Sequence, residues 1–133
     1  MKTKTIVVVL SLIAAATTTA QNQISLLEMD KTKAHLTLTA EQNKTINATV
    51  EQIKNVLEED KKIISKLRER FKAGDEPGFF EKISVKMARD KRSVQIEELL
   101  GDIVSCLNDS QKIKYKSIEK PVLKALSKKE LTE

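Results

Sequence analysis

Aromatic side chains are almost missing from this chain, which has no tryptophan, one tyrosine and three phenylalanines among its 133 residues. A protein that stacks nucleic-acid bases needs such rings as a platform, so that class is excluded. With 32% of the residues charged as well, the core of a chain of one-domain length must be thin. Chemistry-bearing residues are equally sparse. His35 is the only histidine and Cys106 the only cysteine. A nucleophilic triad or dyad would need His35, on what reads as a connector, to meet Cys106, which lies in an apolar stretch and reads as a buried small hydrophobe. One thiol cannot form an internal disulfide, and one imidazole with one thiol falls short of a tetrahedral metal site. Only a dimer, bringing together two copies of His35 with Glu28 or Asp30, would gather enough ligands. The three glycines, Gly74, Gly78 and Gly101, lack the spacing of a phosphate-binding loop. No enzyme, cofactor or metal is therefore expected.

What is present begins with a leader. Lys2 and Lys4 precede an apolar run from Ile6 to Ala16, followed by the small tract Thr17-Thr18-Thr19-Ala20. This is the layout of a secretory signal peptide with cleavage expected after Ala20, and the run is well short of the roughly 20 residues that cross a bilayer. The expectation is a single soluble domain over 21–133, located in the periplasm. Losing Lys2 and Lys4 takes the formal charge from +5 to +3, a mildly basic balance.

From Thr39 onward the pattern is helical. Ile46, Val50, Ile53, Leu57, Ile64, Leu67 and Phe71 follow alternating steps of four and three, broken by Asp60. The stripe predicts one helix from a Thr39 cap to a stop at Gly74, roughly 50 Å long. Asp60 marks either a divergence of helices or the crossing of a basic side chain from a dimer mate, or else keeps the surface from being too adhesive. The segment Gly74-Asp75-Glu76-Pro77-Gly78 breaks the chain. A second long helix is predicted near Phe79–Leu107. In it Phe80, Ile83, Met87 and Val94 form one stripe, and Ile96, Leu99, Leu100, Ile103, Val104 and Leu107 continue it with a shift of phase around 89–95, implying a bend or a change of packing partner. A last helix opens at Asn108 and carries Ile113 and Ile118 before Pro121, with another turn expected over Val122 to Leu126. Before Thr39 the apolar spacing is irregular and reads as a short helix near Ile24–Lys31 and a connector. The fold class is all-α.

Two helix starts share a chemistry. Leu38-Thr39-Ala40-Glu41-Gln42 and Leu107-Asn108-Asp109-Ser110-Gln111 each place a capping side chain three residues ahead of a glutamine able to reach back to the cap's amide. These are capping boxes, with Leu38 and Leu107 placed to tuck under the first turn. The usual staple positions hold Asn43 and Lys112, so Ile46 and Ile113 would have to serve.

Export signal, long helix opened by LTAEQ, Gly/Pro break, second long helix and LNDSQ opening a final helix together resemble the Spy/CpxP family of periplasmic stress proteins, marked by paired LTxxQ motifs. The first motif matches at Leu38, Thr39 and Gln42. The second matches at Leu107 and Gln111, with Asn108 in place of threonine and the capping role kept. The resemblance implies a four-helix hairpin pairing into an antiparallel, cradle-shaped dimer, and an ATP-independent holdase chaperone for unfolded or aggregation-prone proteins in the envelope-stress response. It equally allows a regulatory adaptor that damps the periplasmic domain of a sensor kinase, and more remotely a metal-responsive sensor. Lys54, Lys61 and Arg68 recur every seven residues beside the stripe; with Arg89, Lys91 and Arg92 they are the candidate client-binding residues. Any one of them alone reads as part of a solvated flank.

Overall fold

The computed structural model describes residues 23–124, and all of the helices among them follow directly from local sequence chemistry except the first. The expected signal peptide and residues 125–126 of the expected turn lie outside the described residues, and residues 122–124 take neither helix nor turn. Four helices run in order: α1 Met29–Leu36, α2 Ala40–Lys72, α3 Phe79–Ser105 and α4 Asp109–Tyr115. The last helix ends before Ile118, and among the described residues an isolated parallel bridge pairs Ser25 with Glu119.

The short helix sits later than the apolar spacing of 24–31 suggests. Ser25 takes up the preceding backbone: its hydroxyl accepts from the Leu27 N–H at 3.3 Å and its carbonyl from the Glu28 N–H at 3.0 Å. The buried Thr32 hydroxyl donates back to the Ser25 carbonyl at 3.3 Å, fastening the turn beneath the helix. Residues 24–26 pair instead with the far end of the chain, through Leu26 N–H to Glu119 O at 2.9 Å and Glu119 N–H to Ile24 O at 2.8 Å. The helix therefore starts at Met29 and runs through His35, so His35 is helical rather than on a connector. It ends at Thr37, whose left-handed backbone (φ 53°, ψ 55°) reverses the chain two residues before the next cap, Thr39.

At Thr39 and Asn108 both capping boxes form as the sequence predicts. Thr39 Oγ1 accepts from Gln42 N–H at 3.1 Å and Gln42 Oε1 from Thr39 N–H at 3.0 Å; the Asn108 and Gln111 pair repeats this at 2.8 and 3.0 Å. Gly74, with φ +78°, ends the turn after α2, a conformation that a side chain would strain. Arg70 then ties the corner together by ion pairs to Asp75, at 3.0 Å, and to Glu81. These guanidinium bonds hold the exposed Asp75 carboxyl below its usual range. The Lys82–Glu76 pair at 3.0 Å adds a further exposed contact.

The long helices α2 and α3 pack side by side in opposite directions. The core lies at one end of this pair, where Ile46, Val50 and Ile53 of α2 meet Leu99 and Ile103 of α3, with Leu26, Leu36, Leu38, Leu107, Tyr115 and Ile118 closing over them. Leu38 and Leu107 are buried there, as expected of residues tucked under a first turn. Ile46 is buried and available to the first motif, but Ile113 is 68% exposed and takes no part in stapling the second. Towards the Gly74 corner only Val56, Ile64, Leu67 and Ile96 continue the buried apolar seam, so this half is a two-helix ribbon.

Candidate functional site

The two motif glutamines, 69 positions apart, meet. Gln42 Nε2 donates to Gln111 Oε1 at 2.9 Å, and Gln111 Nε2 donates to Gln42 Oε1 at 3.0 Å. Each also donates to the chain end preceding the other's motif: Gln42 to the Cys106 carbonyl at 2.8 Å, Gln111 to the Leu36 carbonyl at 3.2 Å. The orientation is forced. Each amide oxygen must accept from its own cap's N–H, which turns each NH2 outward to the partner oxygen and to a carbonyl left open at a helix end. The result is a near-symmetric clasp that joins the start of α2 to the start of α4 and satisfies the ends of α1 and α3. Every hydrogen bond of the clasp joins an amide to a backbone group, a cap or the partner amide, so its chemistry is structural.

Asp60, the break in the α2 stripe, is the second convergence point. Its carboxylate takes Arg89 in a two-pronged contact, with Nε at 3.1 Å and Nη2 at 3.2 Å, and Arg92 Nη1 at 2.8 Å. The basic side chains that cross to Asp60 thus come from α3 of the same chain. Arg89 also donates to the Lys124 carbonyl at 2.6 Å, laying the C-terminal segment against the middle of the hairpin. All three charged side chains are largely buried. Arg89 and Arg92, two of the six candidate client-binding residues, are therefore occupied within the fold, a placement that follows from the need of a buried carboxylate for paired cations.

The remaining four stand apart from that cluster. Lys61, Arg68 and Lys91 are exposed, and Lys54 lies 3.4 Å from Glu51 on the same helix turn. His35 Nε2 is 3.1 Å from Ser117 Oγ, whose own hydrogen goes to the Lys114 carbonyl at 2.7 Å, so the imidazole nitrogen is the donor. Among the described residues no group of three or more His, Cys, Asp or Glu is placed to hold a metal ion, and no helix is long and apolar enough to cross a membrane. Cys106 is half-buried at the core's edge rather than fully inside it.

The outer face of α3, beside Lys91, presents an apolar surface. Phe79 (72% exposed), Phe80 (82%), Ile83 (41%), Met87 (57%) and Val94 (52%) face outward. At 100° per residue these positions lie about half a turn from Arg92, Ile96, Leu99 and Ile103, which face α2. The shift of phase seen in the sequence reflects two stripes on opposite faces of α3, one covered by α2 and one bare. Single exposed apolar residues are ordinary, whereas a contiguous row of this length marks an interaction surface. Lys86 and Lys91 flank it, and Asp90 lies within it. A shallow depression lined by Asp90, Lys91, Val94, Gln95 and Glu98 continues the row towards the core end. Phe79 and Phe80 stack edge to face at the corner, with centroids 5.6 Å apart. The stripe residues were legible as apolar; only the structure separates the face they occupy from the core. Compared with family models, curated proteins and solved structures, the chain matches none of them.

Proposed function

We propose that this protein is an exported, periplasmic, ATP-independent holdase chaperone of the envelope-stress response, which shields unfolded or aggregation-prone proteins on the outer face of α3. The observation that carries this reading is the bare row Phe79, Phe80, Ile83, Met87 and Val94, bordered by lysines and turned away from the core. The likeness of the paired motifs to those of the Spy/CpxP family supports it. Covering each such side chain contributes roughly 1.5–3 kcal/mol. Association and the ordering of the bound segment cost on the order of several kcal/mol, which offsets most of that gain. The surplus is small, so clients are held weakly and leave without nucleotide. Lys86 and Lys91 add a mildly basic border that attracts acidic segments, and Lys61 and Arg68 stand exposed on α2. The working form is a homodimer, in the antiparallel cradle that the family resemblance implies, and sedimentation equilibrium tests it: a stable monomer at micromolar concentration removes the cradle. Light scattering from an aggregating client tests the holdase. Suppression at stoichiometric amounts is expected, and none at an excess of chaperone rejects the reading.

A second reading rests on the three-four spacing of the bare row, which suits one specific partner better than many clients. It is a regulatory adaptor that occupies the periplasmic domain of a sensor kinase and damps its signalling. Deleting the gene distinguishes the two, since an adaptor's loss activates an envelope-stress reporter without any misfolded client.

A further inference from the structure

We propose that the bare face of α3 takes its partner as an α-helix, laid along it as in a two-stranded coiled coil, with a basic residue opposite Asp90 and acidic residues opposite Lys86 and Lys91. This inference rests on the reading of that face as the binding surface. Phe80, Ile83, Met87, Asp90 and Val94 follow steps of three, four, three and four. That is the repeat of a helix-to-helix seam; an extended chain repeats every second residue and has no use for it. From Phe80 to Val94 the seam runs about 21 Å along a regular helix. The depression beside Val94 has the matching shape. Its walls are the row Asp90, Val94, Glu98 and the row Lys91, Gln95, each stepping by four, which is the groove that receives a ridge of side chains from a second helix.

Charge specifies the occupant further. Asp90 is exposed in the seam and, among the described residues, forms none of the ion pairs that hold Asp60, Asp75 or Glu81, so a helix covering it must bring a cation or bury a lone carboxylate. A polar residue at one seam position fixes register, which makes Asp90 the residue that selects among helices. Lys86 and Lys91, at the positions either side of the seam, favour acidic flanks. A lipid surface fits less well, because Asp90 interrupts the apolar row and Glu97 and Glu98 follow it. A second copy of α3 offers no basic residue within the seam itself.

The test uses the full mature chain and a labelled peptide of about 21 residues, three heptads long. The peptide carries leucines in its seam, a lysine placed opposite Asp90 and glutamates on its flanks. Two controls have the same length and the same leucine seam: one interrupted by two prolines, one with the charges reversed. Fluorescence polarisation should show the designed helix binding at least about tenfold more tightly than either control. Asp90→Lys, an exposed change that leaves the core untouched, should reverse the preference between the designed and charge-reversed peptides. Equal binding of the proline-interrupted peptide overturns the inference in favour of extended segments. Sedimentation to the phosphatidylglycerol vesicles used as a competitor, lost in Phe80→Ser, overturns it in favour of a membrane. Self-association abolished by Met87→Asp overturns it in favour of a second copy. If no peptide binds while client aggregation is still suppressed, the inference fails and the holdase stands; if suppression is absent too, both fail.

Discussion

Replacing Gln111 by alanine should cost the fold about 3–4 kcal/mol, and a large part of that loss should vanish in a background that already lacks Gln42. The buried Gln111 side chain accepts from Asn108 N–H at 3.0 Å and from Gln42 at 2.9 Å, and donates to Gln42 at 3.0 Å and to the Leu36 carbonyl at 3.2 Å. At a net value of about 1 kcal/mol per bond these sum to the figure given. Gln42 is only partly buried, so water replaces some of its partners and its loss should be about 2 kcal/mol. Independent sites would add to about 5–6 kcal/mol. The two bonds between the amides are common to both variants, however, so the double variant should lose only about 4 kcal/mol, a coupling of about 1–2 kcal/mol between residues 69 positions apart. Urea unfolding of the four proteins, followed by far-UV circular dichroism, measures it. A coupling of zero, or single losses below about 0.5 kcal/mol, refutes the clasp. Gln111→Glu sharpens the point, because a carboxylate would face the Leu36 carbonyl and Gln42 Oε1. Its folded pKa must rise above the unfolded value of about 4.3, so the variant should approach wild-type stability in acid and lose it as pH rises through the folded pKa.

Asp60→Ala should destabilise the protein by about 3–5 kcal/mol in thermal melts, because it strands two buried guanidiniums; joint replacement of Asp60, Arg89 and Arg92 by Leu, Met and Leu should recover most of the loss. Thr37→Gly should raise stability by about 1 kcal/mol, since a β-branched residue holds φ 53° there. Tyr115, the only tyrosine, has a buried hydroxyl with no hydrogen-bond partner among the described residues, and burial pushes its pKa up to about 12. The native state therefore favours the neutral phenol. That stability is complete below the unfolded value of about 10 and declines as pH rises towards the folded value, visible as a late tyrosinate absorbance titration. Tyr115→Phe should leave stability equal or higher in the same melts, and a loss above about 1 kcal/mol contradicts the orphaned hydroxyl.

The helix starts were readable because capping is local: Thr39 and Gln42, or Asn108 and Gln111, contain both halves of the motif within four residues. The end of α2 was readable for the same reason at Gly74. The bond between the glutamines was not, since a capping box uses only some of each amide's hydrogen-bonding capacity and nothing nearby says where the rest goes. Helix α1 was misplaced because its start is set from the far end of the chain, by the pairing of residues 24–26 with Glu119. In α3 the periodicity reported the sum of two apolar faces, so it disclosed a shift of phase but not which face α2 covers. The deciding residue, Arg92, reads as surface-exposed until its contact with Asp60 is seen. Of the candidate binding residues, Arg89 and Arg92 were drawn inward by that same carboxylate, and spacing within one helix carries no trace of a charge on another.

The most direct measurement of the central proposal compares wild type with the double variant Phe80→Ser and Met87→Ser in a client-aggregation assay, after thermal melts establish that both fold equally well. Both side chains are exposed, so the melts should agree within about 0.5 kcal/mol. The account predicts that wild type suppresses light scattering at stoichiometric amounts and that the folded double variant does not. Equal suppression by the two proteins, or none by either, would contradict it.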